Sequence, residues 1–164
     1  MATSTTKKVV IRRFERETLA GFVALHSYLQ PTGVELLKPD GAISILTYAE
    51  VKTVYFVKDF DISEIPPDKK IFITRPKMDG LWVRMTLRDD DILDGILPNN
   101  LLQIERYGFN VIPPEPYSNN QRLFIPREAL RAIQVLGVVG SPLTREKPRG
   151  RRKTTPKEQT SLFD

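Results

Sequence analysis

The sequence lacks the residues that most metal sites and all disulfides require. Its 164 residues include no cysteine and one histidine, His26. Without cysteine the chain forms no disulfide and no thiolate metal site, and a single histidine cannot build a histidine cluster. No apolar run approaches the roughly 20 residues of a membrane span, and the start MATSTTKKVV has no apolar signal segment. These absences predict a cytoplasmic protein that has no contact with membranes and holds no metal or cofactor.

Motifs that support catalysis are also missing. The sequence contains no Gly-rich phosphate loop, no Gly-x-Ser-x-Gly and no His-Glu-x-x-His. The run Asp89-Asp90-Asp91 is the obvious candidate for a magnesium site. Adjacent carboxylates on a strand point to opposite faces, so we interpret the run as a solvated loop between Leu87 and Ile92. The sequence therefore predicts that the protein is not an enzyme and has no catalytic residues.

The net charge of +5 is concentrated at the C-terminal end. Residues 144–164 carry seven basic and three acidic side chains, which leaves the other 143 residues close to neutral. The basic character therefore belongs to a tail and does not indicate a basic face on the globular body.

The first part of the body reads as a series of short strands separated by turn residues. Apolar and β-branched residues recur in short runs, and Pro39-Asp-Gly41 is a strong turn signal. Five short strands within about 50 residues are typical of a small β-barrel. The predicted strands are centred on Val9–Ile11, Leu19–Val23, Val34–Leu37, Ile43–Leu46 and Val51–Val57.

A weak internal repeat connects the two halves of the body. Leu19-x-Gly21 and Gly33-Val34 in the first half correspond to Leu93-x-Gly95 and Gly108-Phe109 in the second. The offset grows within loops, where extra length is tolerated, although two unrelated β-rich halves would also share such short patterns. We predict a mainly β protein with two tandem five-stranded barrels at residues 8–64 and 69–140, followed by a disordered tail at 141–164.

The segment from Pro126 to Val139 allows two interpretations. Pro126 followed by Arg-Glu-Ala favours one helical turn, after which Ile133–Val139 would form a closing strand. The competing structure is a single helix over residues 127–136 that ends at Gly137. The repeat favours the strand, because Tyr48-Ala-Glu50 would be the counterpart turn in the first half.

The strand pattern, with a glycine in the second strand and a short turn before the last, resembles the Sm and Hfq-like proteins over residues 8–60 and 80–140. Those proteins bind RNA, so the resemblance implies an SH3-like barrel fold and an RNA-binding regulator. Their RNA-contacting pattern is not kept at His26-Ser27-Tyr28 or at Pro98-Asn99-Asn100. The resemblance therefore carries over the fold and no binding residues.

One loop of the body has the composition of a nucleobase contact. Tyr117, Asn119, Asn120 and Arg122 place an aromatic ring among amides and a guanidinium, which can stack on or hydrogen-bond a base. The same residues are common in loops without a binding role.

The tail from Ser141 onward is rich in Pro, Lys, Arg and Thr and is nearly free of apolar residues until Leu162. Such a segment cannot bury enough surface to offset its ordering entropy, which predicts disorder. The cluster Arg149, Arg151, Arg152 and Lys153 would contact DNA or RNA phosphates without sequence preference. The alternative is a tail that only increases solubility.

The chain ends on a short peptide, Gln159-Thr-Ser161-Leu162-Phe163, that resembles the motif by which bacterial replication and repair proteins hold the DNA sliding clamp. The resemblance implies that Gln159, Ser161, Leu162 and Phe163 contact the clamp, with the Gln159 amide making hydrogen bonds at the mouth of a groove and Leu162 and Phe163 filling an apolar pocket. Burying two such side chains contributes roughly 3–5 kcal/mol before ordering costs, which predicts a micromolar contact. An accidental apolar terminus, or a strand-adding peptide for another partner, are the alternatives.

Together these features predict a non-catalytic, nucleic-acid-associated adaptor of DNA replication or repair that docks on the sliding clamp. One alternative is an Sm/Hfq-like RNA-binding regulator, and another is a protein-interaction module of a bacterial regulatory system. The sequence leaves open whether the chain forms a homo-oligomer.

Overall fold

The computed structural model describes residues 5–58, 60, 71–114 and 120–140. This part of the chain is built from antiparallel strands and has no α-helix, which confirms the mainly β class. No helix in it is long and apolar enough to cross a membrane. Its strands are β1 (Thr6–Arg13), β2 (Arg16–Ala24), β3 (Leu29–Gln30), β4 (Gly33–Leu37), β5 (Ile43–Leu46), β6 (Val51–Val57), β7 (Gly80–Leu87), β8 (Ile92–Leu97), β9 (Gly108–Val111), β10 (Asn120–Pro126) and β11 (Leu130–Val139).

The strands form two sheets that are joined at one point. The larger sheet has the order β3-β4-β2-β1-β6-β10-β9, with β5 paired to β4, and the smaller has the order β11-β7-β8. Reciprocal backbone hydrogen bonds of 3.0 and 3.1 Å between Ile96 and Ile112 connect β8 to the end of β9. Since β9 and β10 of the second half continue the sheet of the first half, the division into two separate barrels stays a prediction. The tail, 141–164, and the predicted boundary between residues 64 and 69 lie outside the described residues.

The two halves of the chain share one pattern of strand pairing, which supports the predicted duplication. The five equivalent strands are β1, β2, β4, β5 and β6 in the first half and β7 to β11 in the second, and the two-residue β3 has no counterpart. In each half the first of these strands pairs with both the second and the fifth, and the third pairs with the fourth. Equivalent residues occupy equivalent positions in the two sets of pairs. The matching pairs are Val9–Gly21 with Val83–Gly95, and Ile11–Val54 with Met85–Ile133.

The same irregularity also recurs in both halves. The register between β1 and β6 shifts between Arg12 and Arg13, and the register between β11 and β7 shifts between Leu130 and Ala132. The two shifts fall at equivalent positions, at the start of the fifth strand and directly after the short turn that leads into it. A bulge bends the strand and increases its twist, so both halves curl at the same place.

The segment after Pro126 follows the strand interpretation. One 3₁₀ turn at Arg127–Ala129 leads directly into β11, and the competing helix over residues 127–136 is wrong. The strand forms because its backbone pairs along β7, for example Ile133 with Met85. The other predicted strands of the first half are likewise present as β1, β2, β4, β5 and β6.

The central strands β1 and β6 are buried on both faces. Val54 and Phe56 pack into one apolar core, whereas Tyr55 and Val57 pack into another. A strand buried on both faces reads as a continuous apolar run, which explains the composition of Val51–Val57. The molecule therefore has two cores on opposite sides of a shared central layer.

Candidate functional site

A cleft lined by both apolar and polar side chains opens where β8, β9 and β10 meet. Its volume is about 500 Å³. The end of β8 supplies one side of the cleft, the loop and 3₁₀ turn that follow supply another, and Arg122 enters at the start of β10. The cleft is lined by Asp79, Ile96, Leu97, Pro98, Asn99, Asn100, Gln103, Asn110, Val111, Ile112 and Arg122.

Local hydrogen bonds fix the loop that carries the amides. The Leu102 backbone N–H donates to Asn100 Oδ1 at 3.0 Å and caps the 3₁₀ turn Leu101–Gln103. Asparagine at this position satisfies a backbone donor that the short turn leaves unpaired. Asn99 and Gln103 are exposed beside it, so their side-chain amides are available to a ligand.

Two residues that line the cleft each carry one buried side-chain atom that has no hydrogen-bond partner among the described residues. These atoms are Arg122 Nε and Asn110 Oδ1. The Asn110 Nδ2 atom donates to Glu105 Oε2 at 3.4 Å, which leaves the amide oxygen for another donor. The Arg122 guanidinium lies 4.2 Å from the centre of the Phe56 ring, a cation–π contact that holds it in place. A buried polar group without a partner is uncommon in folded proteins, so these two atoms make the cleft the candidate site.

The structure confirms that the aspartate run is a loop between two strands. Asp89, Asp90 and Asp91 form the turn between β7 and β8, and Asp90 has a left-handed φ of 72°. Lys52 Nζ lies 2.6 Å from Asp89 Oδ2 and 2.5 Å from Asp91 Oδ2. Arg131 contacts Asp90. The three carboxylates therefore already hold side-chain cations from β6 and β11.

The carboxylate of Asp94, in contrast, is buried and fully engaged within the sheet. Its side chain is 0% exposed, and it accepts two hydrogen bonds from Arg84, at 2.7 and 2.9 Å. The Phe72 N–H and the Trp82 Nε1–H also donate to it, at 3.1 and 3.3 Å. Burial raises the pKa of Asp94, but the hydrogen bonds from Arg84, Phe72 and Trp82 outweigh burial and leave its pKa below the ordinary value. Complete pairing indicates a structural role.

The predicted site residues are only partly brought together. Arg122 lies in the cleft, but it and Asn120 belong to β10, so the loop predicted for them is wrong. Pairing with β6 extends the strand to Asn120, which lies opposite Val57. Tyr117 and Asn119 lie outside the described residues, and so do the tail candidates Arg149, Arg151, Arg152, Lys153, Gln159, Ser161, Leu162 and Phe163.

The sequence signal for the rest of the cleft was present but ambiguous. Asn99 and Asn100 follow a strand, where consecutive asparagines ordinarily mark a turn. Gln103 and Asn110 stand in stretches without any motif. Strand pairing between β9 and β10 places Asn110 opposite Phe124, two residues from Arg122. Only this pairing brings the residues around one cavity.

The strand pairing and the cleft together define the class: an antiparallel β protein with a duplicated pattern of five strands and, in its second half, a cleft that combines apolar walls with several side-chain amides. The chain belongs to a family of unknown function (DUF6982), whose model matches residues 5–137. That range spans both halves and the cleft. No curated protein matches the chain, and no solved structure matches it.

Proposed function

We propose that the protein is a non-catalytic, nucleic-acid-associated adaptor of DNA replication or repair. The cleft of the second half holds an unpaired base of a single strand, and the C-terminal peptide docks on a bacterial sliding clamp. The basic cluster of the tail adds contacts to phosphates between these two sites. Several weak contacts on one chain raise the overall affinity without any single strong one.

The chemistry of the cleft supports a nucleobase ligand. Asn99, Gln103 and Asn110 carry amides, which both donate and accept hydrogen bonds and so match the edges of bases. Ile96 and Val111 supply an apolar wall for the flat face of a ring. A volume of about 500 Å³ lies within the usual range of roughly 300–1,000 Å³ for small-ligand sites.

The unpaired Arg122 Nε and Asn110 Oδ1 are the observation that carries this proposal. A buried donor or acceptor without a partner costs about 1–3 kcal/mol. A ligand that draws these two buried side chains toward the cleft, and offers an acceptor to Arg122 and a donor to Asn110, recovers that cost. Every base offers such groups on one of its edges, whereas a purely apolar ligand offers neither.

Replacing Arg122 by glutamine is expected to weaken the binding of a 12-nucleotide single strand about tenfold. One hydrogen bond to a charged group and one stacking surface contribute roughly 1–3 kcal/mol, and about 1.4 kcal/mol corresponds to tenfold. Fluorescence anisotropy of labelled DNA and RNA 12-mers with the full chain measures the change. Asn99→Ala, at an exposed position of the same cleft, is expected to weaken binding in the same direction with the fold intact.

Arg16→Gln is the matched control, because Arg16 is exposed at the start of β2 and is not among the residues that line the cleft. It is expected to bind as the unaltered chain does. In a second comparison, glutamine replaces Arg149, Arg151, Arg152 and Lys153 together. Removing four phosphate contacts lowers the slope of log affinity against log salt by up to about 3. If Arg122→Gln and Arg16→Gln bind equally well, the cleft is not the base site.

The C-terminal peptide gives a separate prediction. The full chain is expected to bind a bacterial sliding clamp with micromolar affinity, and Leu162→Ala with Phe163→Ala is expected to abolish that binding. The two apolar side chains supply nearly all the buried area of the contact. Isothermal titration calorimetry measures it. Thr160→Ala is the control, since the corresponding position of the motif is variable. Equal affinity of the double variant and the control would refute docking through this peptide.

A second candidate function is an RNA-binding regulator of the Sm or Hfq-like kind. The observation that favours it is the pairing of the fifth strand with the first in both halves, together with the third-to-fourth strand pairing. The two candidates differ in the nucleic acid they prefer. Tighter binding of the RNA 12-mer than of the DNA 12-mer, without any binding to the clamp, would favour the regulator.

A further inference from the structure

Three strands of the described structure, β3, β5 and β11, have an outer edge to which no other described strand pairs. The strand β3 has only two residues, whereas the longer strands β5 and β11 pair only with β4 and β7 respectively. Both edges display β-branched apolar side chains to solvent. Ile43 is 63% exposed and Ile45 47% on β5, and Ile133 is 41% exposed and Val135 57% on β11.

Such edges ordinarily carry protection against pairing with other chains. Natural proteins use lysines, prolines or a covering element for this purpose. The β5 sequence, Ile43-Ser-Ile-Leu46, contains no charged residue and no proline. On β11, the Arg75 side chain donates to the Val138 carbonyl oxygen at 2.7 Å, near the C-terminal end of the strand. Within the described part of the chain, no strand pairs with the outer edge of the segment Ile133–Val135.

The chain itself shows how edges of this kind pair. At the junction between the two halves, the fifth strand of the first half, β6, pairs antiparallel with the fourth strand of the second, β10. Val54 lies opposite Phe124, and both are 0% exposed. Tyr55 lies opposite Leu123. The junction is therefore a buried interface between two copies of one structural unit.

The two open strands are the duplicates of the two junction strands. The register of β11 on β7 matches that of β6 on β1, so Ile133 corresponds to Val54 and Val135 to Phe56. In the same way, β5 corresponds to β10, because the register of β5 on β4 matches the register of β10 on β9. This correspondence assigns Ile43, Ser44 and Ile45 of β5 to Arg122, Leu123 and Phe124 of β10.

We propose that the β5 edge of one molecule pairs with the β11 edge of a second copy of the same chain, in the register of the internal junction. The strands run antiparallel, with Ile45 opposite Ile133, Ser44 opposite Gln134 and Ile43 opposite Val135. All four exposed apolar side chains thereby meet in opposed pairs. The pairing of all four exposed apolar side chains in a single register distinguishes the proposed interface from scattered apolar surface residues, which are normal on any protein.

The proposed contact joins two different surfaces and is therefore head-to-tail. Such contacts close into rings when the rotation between neighbours allows, and otherwise continue into filaments. Each molecule keeps one free β5 edge and one free β11 edge until the assembly closes. The proposal does not depend on what the cleft or the tail binds, and binding of the 12-mers is measured separately on the same variants.

Sedimentation velocity of the full chain, with Ile45→Lys and Ile133→Lys as variants, tests the proposal. The unaltered chain is expected to sediment as an assembly larger than the 18.8 kDa monomer. Each variant alone is expected to be monomeric, because each lacks one of the two edges. An equimolar mixture of the two is expected to form a dimer and nothing larger, because one intact β5 edge and one intact β11 edge remain.

Leu102→Lys is the control, since Leu102 is 95% exposed on the 3₁₀ turn and belongs to neither edge. It is expected to assemble as the unaltered chain does. Ile43→Lys and Val135→Lys repeat the test if either first variant fails to fold by circular dichroism. The proposal would be overturned if the unaltered chain were monomeric at about 100 µM. It would also be overturned if the mixture of the two variants stayed monomeric. Continued self-association of one variant alone would do the same, because it would indicate a symmetric contact.

Discussion

Replacing Gly33 by alanine is expected to lower the free energy of unfolding by about 3 kcal/mol or more. Gly33 has a φ of 155°, which side chains of L-residues rarely adopt, and a Cβ there would lie 2.1 Å from the Leu46 carbonyl oxygen. Strained backbone costs about 1–3 kcal/mol, and overpacking typically adds about 1–3 kcal/mol. For a domain of this size the midpoint temperature would fall by roughly 6–12 °C, as measured by calorimetry.

Gly41 provides the matched control. It also has a positive φ, of 93°, but nothing lies within 4 Å of a Cβ built on it. Gly41→Ala therefore carries only the cost of the conformation, about 1–2 kcal/mol. Equal destabilisation by the two substitutions would show that the contact with Leu46 does not matter.

Replacing Asp94 by alanine is expected to destabilise the fold by about 2–4 kcal/mol. The change leaves the Phe72 N–H and the Trp82 Nε1–H without their acceptor, and Arg84 without its counter-charge. Losing one partner of a buried pair costs about 3–5 kcal/mol, and the 35% exposure of the Arg84 side chain lowers that figure. Urea unfolding at pH 7 measures the difference.

The same carboxylate gives the stability a defined pH dependence. Since the folded state holds the pKa of Asp94 below its ordinary value of 3.8, the stabilisation is complete above that pH. It is lost as the pH falls through the lowered pKa, because the unfolded chain binds the proton first. Asp94→Asn should lack this component, whereas Asp89→Asn, at a half-exposed ion pair, should retain it and cost less than about 1 kcal/mol. Parallel acid unfolding curves for Asp94→Asn and the unaltered chain would contradict the assignment.

The strands were predictable because their signals are local. Alternation and β-branched runs mark β1, β2 and β4–β6, and the turn residues between them are unambiguous. The repeat was also visible, since Gly33 and Gly108 both sit where a Cβ would meet a carbonyl oxygen, of Leu46 and of Ile125 respectively. A close approach of that kind admits only glycine, so the residue survives in both halves.

Arg122 shows where local signals fail. Its neighbours Asn119 and Asn120 are typical of a loop, yet β10 begins at Asn120. The strand extends that far because β6 offers a partner, with Phe56 opposite Arg122. A partner strand more than 60 positions away in the sequence leaves no trace in the composition of the segment that it orders.

The amino-acid sequence by itself determined the β class, the positions of the first-half strands and the concentration of charge in residues 144–164. These depend on residue type and short spacing, which act within a few positions along the chain. Only the tertiary structure decided that Asn110 and Arg122 share one cleft, that Asp94 is buried among its donors, and that β5 and β11 have open edges. Each of these depends on which strands pair across the sheet, and pairing is decided by burial and backbone hydrogen bonding between distant segments.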